Sequence, residues 1–210
     1  MHPRDLLGKY VQYRVDPGST SAAGQMVNGL LSGKATAAMV TVYEGPSANA
    51  VHAKGQWNFT FLKYCAGAVT FTSLTGGPVL TGPMSGCYLC TYNRLGLKLA
   101  HIGTAHSPMS ADSVKAKKDW LMFVGRPDVS NVMGCKPDDY FSVGDIRAAM
   151  FAGGDIPVVV GYFVSGEAHA MVLAPVPTKE NPLRLTRIAA YKRITMQPWS
   201  AIAAMRTFRL

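Results

Sequence analysis

The sequence predicts an α+β protein: a sandwich of mixed and antiparallel β-sheets flanked by helices, in a single domain, residues 1–210. Three observations carry this. Short apolar or alternating runs follow one another through tight turns, without the regular alternation with helices that βαβ units show. Apolar residues make up 48% of the 210 positions, enough to bury one large core. No charge run, low-complexity tract or repeat is long enough to act as a linker.

The elements run in order along the chain. Met1 to Val15 reads as a short helix and then a strand, ended by the turn signal Asp16-Pro17-Gly18. The small-residue stretch Ser19 to Gly33 predicts a short helix from Ala22 to Leu31. Ala37 to Tyr43 is a strand that Glu44-Gly45-Pro46-Ser47 breaks. Trp57, Phe59 and Phe61 alternate with polar residues in the strand Gln56 to Leu62, and Gly67 to Leu74 forms another. Ser110 to Phe123 predicts an amphipathic helix, with Ser110 or Asp112 as its cap and Val114, Lys118 and Leu121 at helical spacing. Lys136-Pro137-Asp138-Asp139 marks a turn, and a helix over Val143 to Phe151 ends at Gly153-Gly154. Ile156 to Val164 is a central strand, which Ser165-Gly166-Glu167 turns back into Ala168 to Leu173. After a loop over Pro175 to Pro182, Leu183 to Ala189 and Arg193 to Met196 are strands, and Trp199 to Met205 a last short helix.

The stretch between these halves carries the chemistry. Residues 78 to 107 read PVLTGPMSGCYLCTYNRLGLKLAHIGTAHS. Tyr88 to Tyr92 and Leu97 to Ile102 are strands joined by the hairpin turn Asn93-Arg94-Leu95-Gly96. Such a hairpin brings Cys87 and His101 to one exposed rim of the sheet. A free thiol has a pKa of about 8.5, and a neighbouring imidazolium lowers it, so Cys87 is the candidate nucleophile and His101 its base. Gly86, beside Ser85 in the preceding turn, lets backbone and substrate approach the sulfur and offers an amide for an oxyanion hole.

A Ser-Gly-Cys at the start of a strand, followed after a hairpin by His101-Ile102-Gly103-Thr104, resembles the catalytic core of the cytotoxic necrotizing factor family of glutamine deamidases. It is also similar to the chemotaxis receptor deamidases and to a smaller Burkholderia lethal factor, whose nucleophile lies in a Leu-Ser-Gly-Cys motif; Met84 stands here in the leucine's place. The resemblance covers Val79 to Thr104. It implies Cys87 as nucleophile, His101 as general base and Thr81, six residues before the cysteine, as the group that orients the histidine. It also implies a protein glutamine deamidase or transglutaminase: a bacterial toxin or effector, exported without a classical signal peptide and acting in the cytosol of a target cell. The implied partner is a protein substrate such as a small GTPase or a translation factor, met by a monomer that needs no cofactor.

Other readings stay open. His169, at the start of an alternating strand, would pair with Cys87 in a papain-like cysteine protease, although in that fold the cysteine opens a long helix and the residues after Cys87 contain a turn. His106 is a second rival to His101. Ser-Gly-Cys as a simple tight turn in a binding protein is the plain alternative. Cys87 and Cys90 have C-x-x-C spacing, but no second pair or His-x-x-His accompanies them, so no metal site is expected; Cys65, Cys90 and Cys135 read as inert core thiols. The net charge of +9 comes from scattered basic residues without interleaved aromatics, which argues against a nucleic-acid groove. No apolar run approaches the roughly 20 residues of a membrane-spanning helix.

Overall fold

The computed structural model describes residues 2–13, 25–74, 77–105, 107–177, 183–208 and 210. Helix α1 (Pro3–Leu6) and strand β1 (Tyr10–Tyr13) open it. Strands β2 (Met26–Val27), β3 (Leu30–Leu31), β4 (Ala35–Glu44), β5 (His52–Leu62), β6 (Val69–Ser73), β7 (Val79–Pro83), β8 (Tyr88–Asn93) and β9 (Leu97–Ile102) come next. Helix α2 (Ala111–Val124), β10 (Ser130–Cys135), a 3-10 turn (Pro137–Tyr140) and α3 (Val143–Ala148) lead to β11 (Val158–Val164) and β12 (Glu167–Pro175). Strands β13 (Thr186–Ile194) and β14 (Gln197–Pro198) and helix α4 (Trp199–Ala204) complete the order. Among the described residues no helix is long and apolar enough to cross a membrane.

The mixed α+β class holds, but the flat sandwich does not. Seven strands close into a barrel in the order β1-β13-β12-β11-β7-β5-β4, because β1 pairs antiparallel with both β13 and β4. Closure removes two sheet edges that would otherwise present unpaired backbone groups. The register that closes it joins Tyr10 to Arg187 on one side and to Tyr43 on the other, a pairing too distant in sequence for local patterning to reveal. The remaining strands form an open sheet in the order β14-β10-β8-β9-β6-β3-β2. Each sheet is mixed: β5 and β7 run parallel in the barrel, as do β3 and β6 in the open sheet.

Alternation along the strands sorts the core into layers. Val11, Val40, Val42, Trp57, Phe59, Leu80, Val160, Tyr162, Met171 and Ile188 fill the barrel, with Leu6 of α1 among them. Leu62, Val79, Val159, Phe163, Ala170 and Val172 leave its outer face and meet Cys87, Leu89 and Leu99 of the open sheet. On the far side of that sheet, Tyr88, Cys90, Tyr92, Ala100 and Ile102 pack against Ala116, Trp120 and Phe123 of α2. Helix α2 forms over the expected span, with the Ser110 hydroxyl accepting the Ser113 amide at 3.2 Å, but its buried face is Ser113, Ala116, Lys117, Trp120 and Phe123, while Val114 and Leu121 are half-buried and Lys118 is exposed. Loss of that cap costs about 1 kcal/mol, and truncation of the buried Trp120 about 3–5 kcal/mol.

Some expected elements differ. The helix over Ala22 to Leu31 is instead, over its described part, the hairpin β2–β3, turned by Asn28 and Gly29 at φ of 53° and 83°. Two left-handed residues in succession suit the tight turn that an Asn-Gly pair makes, and this local preference outweighs the small-residue helix pattern. The turn expected at Asp16-Pro17-Gly18 lies outside the described residues. Ser130–Cys135, unassigned by pattern, is a strand paired with β8, and the strands expected at Leu183 to Ala189 and Arg193 to Met196 are a single β13.

Candidate active site

The β8–β9 hairpin sets the geometry. Its register pairs Tyr88 with Ile102 and Leu89 with His101, so Cys87, one step beyond the ladder, lies diagonal to His101. Leu89 and Cys87 share the face turned toward the barrel, and so do Leu99 and His101, whose neighbours Ala100 and Ile102 face α2. Diagonal neighbours stand about 7–8 Å apart at Cα, within reach of longer side chains. The sequence therefore places a thiol and an imidazole in one layer between barrel and sheet.

Gly103 shapes the turn after β9. A Cβ there would come within 2.0 Å of the Cys65 carbonyl oxygen, so only glycine lets the turn at Cys65 to Ala68 lie against β9. The Gly103 amide donates to Ala68 at 2.9 Å, and its carbonyl accepts from Gly67 at 2.9 Å. This bonding directs Thr104 back to Cys87. The Cys87 thiol donates to the Thr104 carbonyl at 3.0 Å, while the Thr104 hydroxyl donates to the Gly86 carbonyl. Gly86 itself has φ of 88°, a conformation natural to glycine, and its amide donates to Asp138 Oδ2 at 3.0 Å. Asp138 in turn lies 3.3 Å from Lys136 Nζ, which also bonds Asp139.

The site is closed. Cys87 is 1% exposed and His101 fully buried, which corrects the expectation of an exposed rim. The cause is the layer above: the barrel wall covers the face that both side chains use. Burial pushes the Cys87 thiol up to about 11, and the Asp138 carboxylate adds to this, against hydrogen bonds from Ser85 and Thr104 that pull it down. Burial alone holds His101 down at about 3. Both groups are neutral in this state. Neither nitrogen of His101 has a hydrogen-bond partner, and the ring lies 5.6 Å from that of Tyr64. A buried imidazole with neither nitrogen bonded to the protein is uncommon in a folded interior.

Thr81 is placed differently from its implied role. Its hydroxyl accepts the Gly161 amide at 2.9 Å and donates toward the Gly82 carbonyl at 3.1 Å, filling the irregularity where β7 and β11 shift register between Val160 and Tyr162. It makes no bond to His101, whose nitrogens are both unpartnered. Ser85 and Gly86 form the turn before Cys87 as expected, but the Gly86 amide is occupied by Asp138 and so is not available to an oxyanion in this state. Asp138 and Tyr64 were not legible as site residues. Asp138 meets Gly86 across 52 positions and carries only a turn signal of its own, and Tyr64 follows β5 with no motif.

His169 lies elsewhere. It pairs with Tyr162 on β11, on the barrel-interior face of β12, whereas its neighbours Ala168 and Ala170 face the layer that holds Cys87. The barrel wall separates the two, so the papain-like pairing of Cys87 with His169 does not form. There His169 instead meets His2 and Glu167. His106 lies outside the described residues. Cys90 and Cys135 are buried, and burial raises both thiols, Cys135 to about 12. No family model matches this chain, and no curated protein does.

Proposed function

We propose that the protein is a cysteine-dependent glutamine deamidase acting on a protein substrate, with Cys87 as nucleophile and His101 as base. The observation that carries this is the diagonal placement of Cys87 and His101 on one face of β8–β9; no hydrogen bond joins them in this state, in which the thiol is turned to Thr104 and both His101 nitrogens are unpartnered. It is supported by the resemblance of Ser85-Gly86-Cys87 and His101-Ile102-Gly103-Thr104 to known deamidases.

The chemistry then proceeds in two stages. The thiol proton passes to His101 as sulfur attacks the glutamine Cδ, and the tetrahedral oxyanion is met by backbone amides of the Ser85-Gly86-Cys87 turn. The C–N bond breaks, the imidazolium proton leaves with ammonia, and a thioester remains. Water gives its proton to His101, attacks the thioester and releases glutamate with the thiol restored. A primary amine in place of water yields transglutamination. Opening must come first, because both groups are buried and Asp138 holds the Gly86 amide. In this proposal the protein is a bacterial toxin or effector, delivered to the cytosol of another cell, where a small GTPase or a translation factor is the target.

The experiment is a mass comparison. Cytosolic extract treated with wild type should gain one-dalton increases at specific glutamines that extract treated with Cys87→Ser lacks. Identical glutamine masses in the two extracts would refute the deamidase reading, and new peptide termini dependent on Cys87 would replace it with proteolysis.

A further inference from the structure

At the end of the barrel interior, away from Cys87, three metal-ligating side chains converge. Glu167 and His169 are two residues apart on β12 and so emerge from the same face. His2, the N-cap of α1, lies beside them, its ring meeting that of His169 edge-on at 5.0 Å. Glu167 Oε2 lies 3.7 Å from His2 Nε2 and 3.4 Å from His169 Nε2, and the three ligand atoms are all within 4.8 Å of one another. Zinc bonds of about 2.0–2.1 Å in a tetrahedron set neighbouring ligand atoms roughly 3.4 Å apart. Two of the three edges are thus close to this spacing, and the third is no longer than 4.8 Å.

A second observation is the burial of the His169 ring. His169 is only 1% exposed, its Nδ1 has no partner, and its Nε2 meets only Glu167 Oε2, without the alignment of a hydrogen bond. An ion on Nε2 would satisfy that nitrogen. The carboxylate is also held from behind, since Arg193 bonds Glu167 Oε1 at 2.8 Å and leaves Oε2 for the histidines.

We infer that His2, Glu167 and His169 bind a divalent transition-metal ion of the zinc type. Two imidazoles and a carboxylate suit zinc or cobalt better than calcium or magnesium, which take oxygen ligands in larger number. Three protein ligands leave a position open, and the three line a cavity of about 430 Å³ together with Arg4, Ser165, Tyr191 and Arg193. The guanidinium groups there favour an anionic or water-derived fourth ligand. Binding has one local consequence: His2 Nδ1 accepts the Arg4 amide at 3.1 Å, and an ion on Nε2 moves the ring proton to Nδ1 and releases that bond. The helix it caps is one turn long, and Asp5 still accepts the His2 amide at 3.3 Å.

Cobalt(II) added to the full chain tests this. Visible d–d bands of tetrahedral cobalt should appear without a near-ultraviolet thiolate charge-transfer band, and zinc should displace them. Zinc in about hundredfold excess over its Kd should raise Tm by about 5 °C, while magnesium leaves it unchanged. Glu167→Gln and His2→Ala, at side chains 34% and 39% exposed, should fold normally and lose both the bands and the zinc shift. The inference is overturned if the bands are absent at millimolar cobalt or survive both substitutions. It is equally overturned if a thiolate band places the ion on a cysteine, or if magnesium shifts Tm as zinc does.

Discussion

Asp138 accepts a hydrogen bond from the Gly86 amide, one residue before Cys87, and so places a carboxylate beside the thiol in the position where an oxyanion would need donors. The resting site is held shut by this bond from one side and by the Thr104 carbonyl on the thiol from the other. In the proposed reaction a substrate would have to replace both contacts, and Asp138, on the segment Pro137–Tyr140, supplies one of them.

Replacing Asp138 by Asn keeps an acceptor for Gly86 but removes the negative charge near the sulfur. Cys87 should then ionise more readily, and its alkylation at pH 8 should speed up several-fold. An unchanged rate, read by peptide mass spectrometry, would show that burial alone governs the thiol.

Among the cysteines of the resting protein, Cys65 should be alkylated before Cys87 at neutral pH, because Cys65 is only partly buried and Cys87 is enclosed. The Cys87 rate should rise about tenfold for each pH unit until it nears its value of about 11. Preferential labelling of Cys87 at pH 7 would mean that the site stands open in solution.

His101 makes a distinct pH contribution. It stays neutral in the fold down to about 3, whereas an unfolded histidine takes up a proton below about 6.5. Between those values the unfolded state binds more protons, so stability falls as pH falls, by up to about 1.4 kcal/mol per unit, and recovers fully above 6.5. Denaturant titrations at pH 7 and pH 4.5 should show a smaller loss for His101→Leu than for wild type. Equal losses would place the acid sensitivity on other groups.

Thr81 and Gly161 should matter to the fold before they matter to catalysis. Thr81→Val strands the buried Gly161 amide at a cost of about 1–3 kcal/mol. Gly161→Ala sets a Cβ 2.2 Å from Leu89 Cδ1 and 3.2 Å from Thr81 Oγ1, and overpacking of this kind costs about 1–3 kcal/mol. Thermal melts should show both losses, while Thr81→Ser, which keeps the hydroxyl, should come close to wild type.

Elements with strong local signals were legible in the chain. The alternation around Trp57, the Asn93-to-Gly96 turn, the Ser110 cap and the apolar run ending at Val164 each specify conformation through neighbours a few residues away, and each appears where expected. The hairpin register follows from the same local chemistry, and with it the diagonal relation of Cys87 to His101. Weaker signals competed and lost, as at Asn28-Gly29, where turn geometry displaced an expected helix.

The sequence by itself thus determined the α+β class, most strands, and the placement of Cys87 and His101 on one face of one hairpin. Tertiary structure alone decided that the first sheet closes into a barrel through Tyr10, Tyr43 and Arg187, and that its wall buries Cys87 and His101. It also brought Asp138 to Gly86, turned Thr81 toward Gly161, and gathered His2 with Glu167 and His169. The physical reason is range: hydrogen-bond periodicity and turn preference act over a few residues, whereas burial, charge and ligand geometry depend on which distant strands share a face.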